Sequence, residues 1–258
     1  MKAPTRLYLA STSPRRHLLI RALGLPVTIG PSPADEAALQ AAYVGPSDEL
    51  AEYLARRKAA SAAHALAKAD NDGTGEREEV AVVGADTTVL LDGRVLGKPT
   101  GRAEAADMLR RLRGRQHIVV TGVALAQPES PDQPVHVHSA HVATKVTMRA
   151  YSEDEIAAYV ATGDPMDKAG AYAVQHGKFR PVSRIQGCYT AVVGLPLCAL
   201  AGLVADLTGV ALNPQLAHAG YPDAQVDDRP AMPRTVSHCP WSDRCRSPFP
   251  ACLQNQAR

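Results

Sequence analysis

Hydrophobic and polar positions along the chain alternate between two periods, and the changes of period mark out the elements. Leu7-Tyr8-Leu9 is a short apolar run that reads as a strand. Ser13 then stands as an N-cap and Pro14 at a first helical position. Leu18, Leu19, Ala22 and Leu23 follow at helical spacing, and Gly24 suits the stop. Asp48 to Ala69 repeats alanine on a helical period, and the segment from Asn71 to Gly75 has loop composition. Val80 to Val83 is a continuous apolar run, the pattern of a buried strand. Val89 to Leu91 and Val95-Leu96 flank Asp92-Gly93, a hairpin signal.

The second half continues in the same way. Arg102 to Arg113 reads as a helix stopped by Gly114. His117 to Ala126 and Val135 to Met148 read as two long strands joined by a proline-rich loop. Ser152 to Ala161 is a helix opened by a Ser152–Glu155 capping box and followed by Gly163. Pro196 to Leu207 is the last helix. Strands and helices mix without strict alternation, so the pattern predicts an α/β fold with a mixed β-sheet and flanking helices. Residues 1–210 form the predicted domain. From 211 to 258 prolines crowd between Pro214 and Pro250 and helical periodicity ends, which predicts a disordered or loosely packed tail carrying Cys239, Cys245 and Cys252.

Composition narrows the class. Hydrophobic residues make up 45% and charged residues 21%, ordinary for a globular protein. Aromatics are only 4%, so the core must rest on Leu, Val and Ala. A formal charge of +2, without aromatics among the basic residues, argues against nucleic acid as the partner. The longest apolar stretch, Ala191 to Ala205, falls short of the roughly twenty residues that span a bilayer. No signal peptide is read, and Cys188 and Cys198 sit in apolar surroundings. A soluble, reduced, cytoplasmic protein is expected.

Four segments offer chemistry. Ser11 to Arg16 places two hydroxyls and two arginines at a helix start, where free backbone N–H groups and the helix dipole favour an anion; a solvated first turn is the plainer reading. Asp86 follows the apolar run Val80 to Val83, so it is expected at the strand's carboxyl end, placed to bind a metal or take a proton from water. Leu96 to Pro99 is no Walker loop. The glycine spacing is too short, and Pro99 stands where a magnesium-binding hydroxyl belongs. Lys98 remains a point charge for a phosphate. Asp164 to Tyr172 is a charged, glycine-bearing loop from which Lys168, and beyond it Gln175, can meet a ligand. Two sets are read as decoys: His136, His138 and His141 as a solvent-facing strand, and His238 with the tail cysteines as residues without paired zinc spacing.

Taken in order, the stretches Leu9 to Arg16, Asp35-Glu36, Leu54 to Ala59, Gly84 to Thr87, Leu96 to Pro99, Arg113 to His117, Thr121-Gly122, Asp167 to Tyr172 and Val193 to Leu197 resemble the Maf family, the septum-formation-inhibitor-like nucleotide pyrophosphatases. The resemblance runs from Leu7 to about Leu207. It implies two α/β lobes around a nucleotide-binding cleft, and hydrolysis of a nucleoside triphosphate to the monophosphate and pyrophosphate with a divalent cation, Mg2+ or Mn2+. It also allows a homodimer. One branch of the family prefers dTTP and UTP, another 7-methyl-GTP. Arg15, Thr87 and Gln175 make this chain similar to the dTTP/UTP branch.

On that footing Arg15, Arg16, Lys58, Lys98 and Lys168 are the expected cations for the triphosphate. Glu36 and Asp86 are the expected metal ligands, and Asp86 also orients or deprotonates the water. Two departures bear on fine substrate choice. His176-Gly177-Lys178 follows Gln175, and Cys188 to Ala191 replaces a usual Ser-Tyr-Ser-Asn. The competing class is a nucleotide-binding regulator of cell division that needs no catalysis.

Overall fold

The structure, a computed structural model, describes residues 6–70, 80–127, 135–209 and 235–237. The expected loop at Asn71 to Gly75, most of the proline-rich loop and the tail cysteines lie outside the described residues. Strand β1 (Arg6–Ala10), helix α1 (Pro14–Arg21), strand β2 (Val27–Gly30) and helices α2 (Glu36–Ala41) and α3 (Leu50–Asp70) come first. Then follow β3 (Val80–Leu91), β4 (Arg94–Leu96), α4 (Arg102–Leu112), β5 (Gln116–Ala126) and β6 (Val137–Met148). The chain continues with α5 (Glu153–Ala161), two 3-10 turns, β7 (Val182–Gln186), α6 (Tyr189–Val193), α7 (Leu197–Thr208) and β8 (Thr235–Ser237).

One mixed sheet runs through the described residues in the order β2-β1-β3-β5-β6-β7-β8, with β4 paired to β3. Strands β2, β1 and β3 are parallel, while β3, β5, β6 and β7 are mutually antiparallel. The α/β class with a mixed sheet and flanking helices is therefore the observed one. No helix among the described residues is long and apolar enough to cross a membrane.

The two faces of the sheet are covered differently. Helix α3 lies on one face, where Ala55, Ala59, Ala62 and Ala63 pack on Val82, Ala124 and Ala126. Alanine lets the helix come close, and glycine in the strands lets it come closer still. A Cβ at Gly84 would stand 2.2 Å from the Ala55 carbonyl oxygen, and one at Gly122 would stand 2.4 Å from that of Ala51. The opposite face carries the larger core, built from Leu7, Leu9, Val83, Val123 and Leu125 of the sheet beneath Leu19, Leu109, Ile156 and Leu200 of the helices.

Several local readings hold. The Ser152–Glu155 capping box is formed in both directions. Asp92 and Gly93 both adopt positive φ, 51° and 74°, as the two-residue hairpin requires. Two readings need correction. Val80 to Val83 and Val89 to Leu91 are one strand, so Asp86 lies in mid-strand and not at a carboxyl end. The reason is β5, which pairs without interruption from Val82 to Leu90 and supplies partners to the polar middle. On α1, Leu18 is 40% exposed while Ile20 is fully buried. Leu19, Ala22 and Leu23 are buried as expected, and Arg16 and Ile20 join them on the inward side, with Arg16, Leu19, Ile20 and Leu23 spaced i, i+3, i+4 and i+7. Of the segment beyond Val210, the described residues Thr235–Ser237 form β8, which pairs in parallel with β7 at the sheet edge.

Candidate active site

Strand β3 has one edge occupied by β5 and the other shared by two short strands. Strand β1 pairs with Arg6 opposite Val80 through Leu9 opposite Val83, and β4 pairs with Val89 to Leu91. Between them the backbone from Gly84 to Thr88 has no strand partner on that edge among the described residues. The loop after β1, the loop after β4 and this stretch of β3 converge there on a cavity of about 280 Å3. All nine residues singled out from the sequence line it: Arg15, Arg16, Glu36, Lys58, Asp86, Thr87, Lys98, Lys168 and Gln175.

Successive strand residues point to opposite faces, so Asp86 and Thr87 build different walls. Asp86 faces α3. There the Lys58 Nζ donates to Asp86 Oδ1 at 2.6 Å and lies 3.0 Å from Glu36 Oε1. The lysine side chain is 4% exposed and that of Asp86 15%, while Glu36 is half exposed at 50%. Asp35 caps α2 by accepting from Ala38 N at 3.0 Å, which sets Glu36 in the first turn. One ammonium thus bridges two carboxylates and engages one oxygen of each.

Thr87 faces the other layer. Arg16 donates from Nε to the Gly194 carbonyl at 2.7 Å and from Nη2 to Thr87 Oγ1 at 3.1 Å. Burial lowers the guanidinium pKa, opposed first by the Asp86 charge. Arginine shares the apolar face of α1, which explains how a charged group reaches so deep. Arg15 also lines the cavity, and its Nε is buried with no hydrogen-bond partner among the described residues. Ser13 holds the N-cap position without a side-chain cap bond; Ser11 Oγ accepts from Ser13 N at 3.2 Å instead.

The lysine wall differs from expectation. Gly170 N donates to the Gly97 carbonyl at 3.0 Å, so the loop bearing Lys168 is tied to the loop bearing the exposed Lys98. Lys168 is 8% exposed, and its Nζ contacts Asp164 O at 2.5 Å, Asp167 Oδ1 at 2.6 Å and Asp164 Oδ1 at 3.0 Å. Two of its N–H groups donate to its own loop, so Lys168 ties that wall together. Asp167, which sequence reading passed over, also lines the cavity. Burial pushes its pKa up, but the Lys168 hydrogen bond and the charges of Lys168 and Arg15 outweigh that and hold it below its ordinary value. Tyr172 lines the cavity as well, backed by the buried His117, whose Nε2 lies 2.7 Å from the phenol oxygen. Burial lowers the His117 pKa from 6.5 to about 4, so the ring is neutral at pH 7.

Among the described residues no group of three or more potential ligands is placed to hold a metal ion. His141 pairs with Glu52 on the α3 side at 2.5 Å, and Ser139 donates to the same carboxylate at 2.6 Å.

The family profile described as "Maf-like protein" matches residues 6–207. A protein of Pelotomaculum thermopropionicum named dTTP/UTP pyrophosphatase is 46% identical over 76% of this chain and 93% of its own length. A Moorella thermoacetica protein of the same name is 45% identical over 78% and 94%. One from Thermomicrobium roseum, again so named, is 39% identical over 91% of the chain and 93% of its own length, a match that extends past Val210.

Proposed function

The chain belongs to the Maf family, and from that premise we propose that it is a nucleoside triphosphate pyrophosphatase acting on dTTP and UTP with a divalent cation. The observation that carries the reading is the division of one cavity into two chemistries. Asp86, Lys58 and Glu36 stand on the α3 side, and Arg16 with Arg15 on the α1 side. A triphosphate carries about four negative charges and its transition state moves more onto the leaving oxygens, so cations and N–H donors fixed in advance lower the barrier.

In this mechanism water attacks the α-phosphorus as the bond from that phosphorus to the α–β bridging oxygen breaks, and pyrophosphate leaves. Asp86 orients the water and accepts its proton. Lys58 holds Asp86 in place at 2.6 Å and bridges it to Glu36. Arg15, Arg16 and the exposed Lys98 take the phosphate oxygens, aided by the N-terminal amides of α1. Lys168 serves by holding Asp164 and Asp167. Gln175, an amide, donates to one pyrimidine oxygen and accepts from the ring N–H, a pairing that suits uracil and thymine and fails for cytosine.

Glu36 and Asp86 fit a hard divalent cation. Both are carboxylates, Lys58 engages one oxygen of each, and Mg2+ commonly takes one or two protein carboxylates plus substrate phosphates. Such an ion would neutralise phosphate charge and help to polarise the water. A regulator that only binds nucleotide needs the arginine wall but not the buried lysine between two carboxylates, so the cluster favours turnover. The test is a nucleotide panel with Mg2+ and with Mn2+. Monophosphate and pyrophosphate from dTTP and UTP, with dCTP spared, are expected. Tight binding of dTTP without turnover would overturn the proposal.

A further inference from the structure

Thr121 is fully buried at 0% exposure on β5 and does not line the cavity, yet it belongs to a chain of hydrogen bonds that begins there. It stands directly opposite Thr87 in the β3–β5 ladder, on the same face of the sheet. Its Oγ1 lies 2.7 Å from the Ala191 carbonyl oxygen and 3.1 Å from Thr87 Oγ1. Thr87 Oγ1 in turn lies 3.1 Å from Arg16 Nη2.

The direction of every bond in this chain follows from its two ends. A carbonyl only accepts, so the single hydroxyl hydrogen of Thr121 goes to Ala191. Thr121 must then accept from Thr87, which commits the single hydrogen of Thr87. A guanidinium only donates, so Thr87 accepts from Arg16. The order is Arg16 to Thr87 to Thr121 to Ala191, with no choice at any step. Arg16 is fixed a second time by the Gly194 carbonyl at 2.7 Å, so both ends of the chain tie α1 to the α6 segment across the sheet. Thr87 is left with one lone pair, and no hydrogen, for any ligand.

We propose that Thr121 is a positioning residue for the reaction: it locks the hydroxyl of Thr87 as an acceptor towards Arg16 and thereby aims the guanidinium. This rests on the pyrophosphatase reading for its rate effect but not for its geometry. Without the Thr121 hydroxyl, Thr87 can turn its hydrogen towards Arg16, where donor meets donor, and the guanidinium loses its alignment.

The experiment compares Thr121→Ser, Thr121→Val, Thr87→Val and the double valine variant in kcat and KM for dTTP with Mg2+, alongside thermal unfolding. Serine keeps the hydroxyl and is expected within about threefold of the parent. Valine keeps the shape and is expected to lose roughly tenfold to a hundredfold in kcat/KM while remaining folded. Because Thr121 acts through Thr87, the double variant is expected to be no worse than Thr87→Val alone. Parental kcat/KM in Thr121→Val, or losses that multiply in the double variant, would overturn the proposal. If Thr121→Val fails to fold, Thr121→Ala, which lets water reach the Ala191 carbonyl, takes its place under the same criteria. Calorimetry with a non-hydrolysable α,β-methylene dUTP gives a separate reading. A parent that binds the analogue without turning over dTTP refutes the enzyme reading alone. Equal affinity of parent and Thr121→Val would then refute the positioning role, and roughly tenfold weaker binding would support it.

Discussion

Asp86 and Thr87 are neighbours on β3, yet they meet opposite layers: Asp86 Oδ1 lies 2.6 Å from Lys58 of α3, and Thr87 Oγ1 lies 3.1 Å from Arg16 of α1. Two adjacent residues therefore serve both walls of one cavity. The alternation of a strand explains the divergence, and the edge between β1 and β4 gives a ligand access to both sides.

Asp86→Asn keeps the shape of the carboxylate and removes its charge and its capacity to accept a proton. Turnover of dTTP is expected to fall by about a hundredfold to ten-thousandfold, while the fold persists. Circular dichroism and steady-state kinetics check this together. A variant within a few-fold of the parent would remove Asp86 from the chemistry.

Lys58→Met takes away the one ammonium that Asp86 and Glu36 share. Asp86 then loses the donor that fixes its carboxylate at 2.6 Å, so turnover of dTTP is expected to fall while the fold persists. At neutral pH the loss should reach at least about tenfold. A kcat/KM equal to the parent's would contradict the bridging role.

Much of this site was legible in the sequence because its residues sit in short, ordered stretches whose types match the chemistry. Arg16, Asp86 and Lys98 stand out in their own stretches, whereas Lys58 and Glu36 are reached only through the resemblance to the Maf family. The depth of Arg16 was hidden because a charged residue is ordinarily placed on the polar side of a helix, whereas here it shares a face with Leu19 and Leu23. Mid-strand placement of Asp86 was hidden because polar Asp86-Thr87-Thr88 interrupts the apolar pattern, and only β5 carries the strand through. Strands β2 and β7 and helices α2 and α6 went unread, each being at most six residues long, too short to display a period. The engagement of Lys168 by Asp164 and Asp167 is a matter of rotamers within one loop, which spacing alone does not convey.

Gly84→Ala tests the seat of α3. The added Cβ would fall 2.2 Å from the Ala55 carbonyl and 2.7 Å from the Ala59 amide, backbone atoms that flank Lys58 and cannot rotate away. Overpacking of this kind costs about 1 to 3 kcal/mol. Thermal unfolding should show a lower Tm, and activity should fall as Lys58 moves off Asp86. An unchanged Tm would show that the helix does not depend on this contact.

His117 predicts a pH dependence of stability. Its pKa falls from 6.5 to about 4 on folding, because burial disfavours the charged ring. Between those values the unfolded chain binds more protons than the native one, so stability falls as pH drops through the window and is unaffected by this group above it. From pH 7 to 4.5 the parent should lose about 2 to 3 kcal/mol more than His117→Gln. Denaturant unfolding at the two pH values measures this, and equal losses in parent and variant would exclude His117 as the source.

The central claim is attack of water on the α-phosphorus, and hydrolysis of dTTP in oxygen-18 water tests it most directly. The account predicts pyrophosphate and dTMP as the first products, with the label in dTMP. Label in the pyrophosphate, or orthophosphate as the first product, would contradict it.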